Sequence, residues 1–306
     1  MTIKHSNHVE PINTAIAGLG FGETVHLPAL ESNPDFNLVS LWHPRSERLK
    51  EASKRHQIDA HEHWDSLLND PNVKAIIIAT PPEPRFKLAY QALEAGKHLL
   101  LEKPIAMNTE EGADLQRLAI QKRLSVAVDF EYRAVPLFMQ AKRLITKDLI
   151  GDPWLVKLDW LMSSRANKTK PWNWYSDSVK GGGVLGALGT HAFDMLNWLF
   201  GPTKTVNAFL STSIKERVDP HNGAIRKVTS EDVALAQLII TGTENNINIP
   251  AQVTLSAVTR EGRGCWIEVY GSKGTLTLGS ENQKDYVHGF ELRYTKVGED
   301  PKVIVP

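Results

Sequence analysis

Five short apolar runs, Ile12–Ala17, Asn37–Trp42, Lys74–Ala79, Lys97–Leu101 and Leu124–Asp129, punctuate the first 130 residues and are separated by segments of helical pattern. Few folds accept that rhythm. After its lysine, Lys74–Ala79 is apolar throughout and rich in isoleucine, as a strand buried on both faces of a parallel sheet must be. The helices between are predicted to carry Val25, Leu27 and Leu30, then to run from about Pro84 to Ala95 and from about Thr109 to Gln121. Alternation of this kind implies an α/β class with a doubly wound parallel sheet.

After Asp129 the rhythm changes. Glu131 to Pro136 reads as a crossover and a helix follows to about Ile145. Longer alternating strands come next: Trp154–Ser163, Thr205–Ser213, Val233–Thr241, Ile249–Val258 and Cys265–Tyr270. These predict an α+β domain with a mainly antiparallel, open-faced sheet, and a division into residues 1–130 and 131–306. Residues 1–11 are polar and read as a loose tail without the apolar core of a signal peptide.

With 42% hydrophobic residues in 306, the chain can bury a full core, and its 35 basic and 35 acidic side chains cancel. That balance argues against nucleic acid or an anionic membrane as partner. No stretch has the apolar length of a membrane span. The single Cys265 excludes an internal disulfide framework and points to a reducing, cytoplasmic setting; no Cys/His cluster has zinc spacing, so no metal is expected.

The first strand runs directly into Gly18-Leu19-Gly20-Phe21-Gly22. Strand, glycine turn and helix start together make a phosphate site, because glycines let the backbone approach and free helix N–H groups attract the anion. Gly-x-Gly-x-x-Gly spacing would place the third glycine at position 23, which is Glu23; it arrives one residue early as Gly22. A plain tight turn is the alternative. The second strand ends in Trp42-His43-Pro44-Arg45-Ser46-Glu47-Arg48, with no carboxylate at its tip to accept from a ribose hydroxyl. Arg45 and Ser46 could instead hold a 2′-phosphate, which favours NADP with NAD as the other option. The plain alternative is a solvated helix start with Ser46 near the cap and Arg48 facing water. Thr80-Pro81-Pro82 ends the third strand abruptly.

Glu102-Lys103-Pro104 follows the fourth strand at its carboxyl end, where open α/β sheets bind ligands. Lys103 there could hydrogen-bond a substrate oxygen and stabilise developing negative charge; otherwise it is a surface lysine. In the second half, Gly181-Gly182-Gly183 precedes a helix predicted from about Leu185 to Phe200, on which Ala187, His191, Asp194 and Trp198 share a face. His191 could act as acid or base near neutral pH, or be a packing residue held by Asp194. The loop Pro171-Trp172-Asn173-Trp174-Tyr175 reads as core, lid or flat substrate platform.

In order along the chain, these motifs are similar to those of the Gfo/Idh/MocA oxidoreductases, NAD(P)-dependent enzymes acting mostly on sugars and inositols. The resemblance rests on Gly18–Gly22, Ala79-Thr80-Pro81-Pro82, Ala92 through Glu102-Lys103-Pro104, Arg133 with Pro136, and Gly181 through Gly189-Thr190-His191 to Asp194. It implies a Rossmann domain, with Gly18, Gly20, Phe21, Gly22, His43, Arg45, Ser46, Thr80, Pro81, Pro82, Glu102 and Lys103 on the cofactor. It further implies Lys103 and His191 as catalytic residues, a substrate contacted by Arg133, Trp172, Trp174 and Asp194, and a homodimer or homotetramer built on the second sheet.

Three departures matter. The family's aspartate four residues before the histidine is Ala187 here, the glycine turn is one residue short, and the chain stops at Pro306 without the closing helices many relatives carry. Ala187 keeps alive the reading of a catalytically silent, dinucleotide-binding regulator or scaffold. A reductase of a non-sugar carbonyl or tetrapyrrole-like substrate is a third reading, resting on Trp172 and Trp174.

Overall fold

The computed structural model describes residues 10–242, 247–283 and 288–305, so the expected tail lies outside the described residues up to position 9. The chain divides after Asp129 into two compact units, each with its own sheet.

In the first unit the elements alternate. They are β1 (Ile12–Ala17), a π-helical turn (Gly22–His26), α1 (Leu27–Glu31), β2 (Phe36–Trp42), α2 (Ser46–His56), β3 (Asp59–Ala60), α3 (Trp64–Asn69), β4 (Ala75–Ile78), α4 (Pro82–Glu94), β5 (His98–Leu101), α5 (Thr109–Lys122) and β6 (Val126–Val128). The strands form a parallel sheet in the order β3-β2-β1-β4-β5-β6, a Rossmann topology that reverses direction of winding between β1 and β4. The isoleucine run explains itself. Ile76 and Ile78 join Ala15, Ala17, Leu99 and Leu101 against α4 and α5 on one face, while Ile77 joins Ile16, Leu41 and Leu49 on the other. A strand covered on both faces has no side that tolerates a polar residue.

Local chemistry sets the helix ends. Asn108 caps α5 by accepting from Glu111 N at 2.9 Å, and the Glu111 carboxylate reaches back to Met107 N at 2.9 Å. Gln57 and Arg123 end α2 and α5 in left-handed backbone. The first helix departs from expectation. It opens as a π turn, which shifts the phase so that Val25 is exposed and His26 is buried, whereas Leu27 and Leu30 remain in the core.

The second unit contains a 3₁₀ turn (Glu131–Ala134), α6 (Pro136–Thr146), β7 (Pro153–Leu161), a π turn (Leu185–Gly189) leading into α7 (Thr190–Phe200), β8 (Thr203–Ser211), the hairpin β9 (Glu216–Val218) and β10 (Ile225–Lys227), β11 (Val233–Thr241), β12 (Asn248–Ser256), β13 (Gly264–Gly271), β14 (Gly274–Ser280), β15 (Glu291–Lys296) and β16 (Lys302–Ile304). Eight strands pair in the order β16-β15-β14-β13-β7-β12-β11-β8, all antiparallel except β7 with β12. One face is core: Val156, Leu158 and Trp160 alternate inward to meet Phe138 and Leu144 of α6 and Met195, Leu196 and Leu199 of α7. The opposite face carries Leu155, Leu235 and Tyr270, beside polar pairs such as Lys157 with Glu268. Along the edge strand β8, Val206, Phe209 and Leu210 are all exposed.

Candidate active site

In the first unit three loops gather at the carboxyl ends of β1, β4 and β5. The glycine turn is shaped by steric need. Gly18 has φ +102°, and a Cβ there would stand 2.7 Å from the carbonyl of Ala79. At Gly22 a Cβ would fall 2.7 Å from Cγ2 of Ile16, so this glycine lets the helix start pack directly on β1. That is the role expected of a third fingerprint glycine, and the wide π turn that follows absorbs the missing residue. Gly20 faces open space within 4 Å, and Phe21 beside it is exposed. Thr80 at the end of β4 is buried, and its Oγ1 has no hydrogen-bond partner among the described residues. An open glycine and an orphaned hydroxyl at the switch point of a parallel sheet fit a dinucleotide pyrophosphate.

At the tip of β2, His43 is buried and its Nδ1 accepts from Arg45 N at 3.0 Å. Burial, aided by the charges of Arg48 and Arg45, holds the ring below the ordinary histidine range, so it stays neutral. Arg45 and Ser46 are exposed at the first turn of α2. Arg48 does not simply face water, because its Nη2 donates to the Leu19 carbonyl at 3.1 Å and braces the glycine turn.

Glu102 is buried behind Lys103 and accepts from His26 Nε2 at 2.8 Å. Burial pushes its carboxyl up, but the bond and charge of His26, with Lys103 and Arg85 nearby, hold it below the ordinary glutamate range. Asp129 behaves oppositely. Its burial and the charge of Glu102 raise it, against the pull of His26 and Lys103. His26, Glu102 and Asp129 have ligand atoms within 4.8 Å of one another, yet the 2.8 Å contact is a hydrogen bond, shorter than the roughly 3.3 Å between tetrahedral ligands on zinc. Arg85, buried on α4, donates to the carbonyls of Thr80, Glu102 and Pro104.

In the second unit His191 is buried among rings, with Tyr132 at 5.1 Å and Phe130 at 5.9 Å, both edge-to-face, and Trp160 at 6.1 Å. Its Nε2 lies 3.7 Å from the Glu131 carboxylate. Asp194 is not its orienting partner. Both Asp194 oxygens are taken by Arg133, at 2.8 Å from Nε and 2.5 Å from Nη2. Because α7 is entered through a π turn, Ala187 precedes the regular helix that carries His191 and Asp194.

The aromatic loop separates into two roles. Trp172 is buried, donates to the Lys227 carbonyl at 3.2 Å and is covered by the Arg226 guanidinium at 3.3 Å, so it is a packing residue and not a flat platform. Trp174 is half-buried beside Tyr175.

Sequence reasoning missed His26, Arg85 and Glu131. For Arg85 a signal existed, since it stands at the head of the stripe Arg85, Leu88, Ala89, Ala92 on α4, a charge at core spacing. His26 gave none, because only the π turn brings it inward.

Residues 12–130 match the oxidoreductase family with an NAD-binding Rossmann fold, and residues 138–277 match the GFO/IDH/MocA C-terminal domain. An uncharacterised oxidoreductase of Synechocystis sp. is 42% identical over 290 residues, 94% of this chain and 77% of that protein. Levoglucosan dehydrogenase of Pseudarthrobacter phenanthrenivorans is 31% identical over 228 residues, 71% of this chain and 58% of that protein. A levoglucosan dehydrogenase structure in complex with NADH and L-sorbose superposes with a TM-score of 0.84 at 25% identity, covering 97% of this chain and 80% of that one. Among the described residues no helix is long and apolar enough to cross a membrane. With both domain matches in chain order on the parallel and antiparallel sheets just described, the chain belongs to the Gfo/Idh/MocA family of NAD(P)-dependent oxidoreductases.

Proposed function

We propose that the chain moves a hydride between a nicotinamide dinucleotide and a hydroxyl-bearing or carbonyl carbon of a small sugar-like molecule. The observation that carries this reading is the buried bracing of the Glu102-Lys103-Pro104 turn at the end of β5, two strands from the glycine turn of β1. A lysine on an ordinary surface turn would need no such support. The sugar class is taken from the levoglucosan dehydrogenase relative.

When bound, the nicotinamide supplies or accepts the hydride. Lys103 donates a hydrogen bond to the substrate oxygen and stabilises negative charge there as the carbonyl is reduced. His191 is the proton-exchanging group of the second unit, and its ring cage keeps bulk water from competing. Glu131, the carboxylate beside His191, takes over the orienting role that Ala187 cannot perform. Arg133 and Asp194 shape the substrate side as a neutral pair, and Trp174 offers an apolar edge. Arg45 and Ser46, exposed at the β2 tip, favour NADP(H) by pairing with a 2′-phosphate. The exposed apolar residues of β8 and the open sheet face build a homo-oligomer.

Purified protein mixed with NADP⁺ or NAD⁺ and a panel of anhydrosugars, sugars and inositols should develop reduced-nicotinamide absorbance. Cofactor binding without turnover on any member would reject this reading in favour of a silent regulator. Calorimetric titration should show NADP(H) bound about ten- to a hundredfold more tightly; equal affinity removes Arg45 from its role.

A further inference from the structure

Arg85 is among the most buried charged residues of the first unit, only 2% exposed, and it sits where α4 would ordinarily place an apolar side chain over Leu88, Ala89 and Ala92. Desolvation lowers its guanidinium to about 10 against the opposing pull of the Glu102 charge, the direction expected of a cation taken out of water. Both terminal nitrogens donate to main-chain carbonyls. One nitrogen, Nη1, serves both the Glu102 carbonyl, at 2.6 Å, and the Pro104 carbonyl; the other, Nη2, serves the Thr80 carbonyl.

The pattern singles out one residue. Glu102 and Pro104 flank Lys103, so two carbonyls converging on a single nitrogen pin the backbone on both sides of the lysine. The third bond ties that turn to the end of β4, where Thr80 holds its orphaned hydroxyl. A planar fork with two spread nitrogens can span two loops; a lysine ammonium is a point donor and cannot. A helix that merely needed a stable first turn would have no use for contacts 17 and 19 residues further along the chain.

We propose that Arg85 is a positioning residue for Lys103, locking the Glu102-Lys103-Pro104 turn to the cofactor-side loop Thr80-Pro81-Pro82. The proposal rests on the oxidoreductase reading for its catalytic consequence, but the lock itself is a property of the first unit. It makes no contact with substrate. Its effect is on where the Lys103 ammonium stands, and misplacement by about 1 Å costs on the order of 10²-fold in rate.

Two variants test it, Arg85→Lys and Arg85→Ala. Both should bind dinucleotide within about threefold of the natural chain, by nicotinamide fluorescence, while kcat falls about 10²-fold and substrate KM changes little. Millimolar guanidinium should restore about tenfold of the Arg85→Ala loss, and sodium at equal ionic strength should not. Unchanged kcat, loss confined to cofactor affinity, or equal rescue by sodium would each overturn the proposal. Failure of both variants to fold would assign Arg85 to stability alone and overturn it too.

If the natural chain turns over no sugar, the proposed function fails, and a second readout decides on Arg85 independently. In protein labelled at lysine ¹³Cε, the Lys103 signal, assigned through Lys103→Arg, should shift and broaden in Arg85→Ala while that of Lys122 does not. A Lys103 signal indifferent to Arg85 sinks the lock whatever the activity.

Discussion

Cutting the Arg133–Asp194 pair from its two ends should give unequal costs. Asp194 is 9% exposed at its side chain and Arg133 is 47% exposed. At an effective dielectric near 20, charges about 4 Å apart attract by about 4 kcal/mol, but roughly half the guanidinium is already in water, so screening takes much of that. Asp194→Ala leaves a cation that can turn to solvent, and about 1 kcal/mol is expected. Arg133→Ala instead strands a carboxylate against α7 without either bond, and about 2–4 kcal/mol is expected. The double variant should be more stable than Arg133→Ala alone, because the stranded charge is gone. Urea unfolding at neutral pH, followed by tryptophan fluorescence, measures all three. Equal costs at both ends, or a double variant whose cost is the sum of the singles, would refute the argument that desolvation of the carboxylate dominates.

Lys103→Met should abolish turnover with cofactor affinity nearly intact, and His191→Ala should lower the rate by about 10²–10⁴ without unfolding the chain, as steady-state kinetics and circular dichroism would report. Gly18→Ala places a Cβ against the Ala79 carbonyl at positive φ and should cost about 2–3 kcal/mol of stability along with dinucleotide affinity, readable by thermal shift with and without cofactor. Asp129→Asn should stabilise the protein at neutral pH by about 1 kcal/mol or less: burial and Glu102 raise the folded-state carboxyl, so its ionisation disfavours the fold, and the gain should vanish as pH falls below the unfolded aspartate value. Paired denaturation curves across that range check the sign.

The parallel sheet was legible in the sequence because its strands obey a simple demand. Ile76, Ile77 and Ile78 are apolar in succession only if both faces are covered, and both are. The long strands of the second unit announced themselves by alternation, with β11 falling on Val233–Thr241 as expected. What escaped were residues whose placement depends on helix phase. A π turn cannot be read from a 3.6-residue pattern, so the burial of His26 beside an exposed Val25 went unforeseen, and Ala187 was placed on a regular helix it precedes. Trp172 stayed open between core, lid and platform for another reason. Its burial is completed by Arg226, which arrives from a hairpin more than fifty residues later.

The place of β7 in the second sheet has a kinetic consequence. Hairpins such as β13 with β14 close through turns of a few residues and can form early. β7 sits at the centre with no sequence neighbour beside it: Val156 pairs with Ala251 and Leu158 with Ile267, so both flanking strands come from about a hundred residues downstream. The loop entropy of those closures must be met before either ladder returns any stabilisation. Assembly of this sheet is therefore the slow event in folding, and until β12 and β13 have been synthesised, β7 presents Trp154, Leu155, Val156, Leu158 and Trp160 as an unpaired template. Holding that strand apart from its copies on other nascent chains is the task this topology sets for the cell.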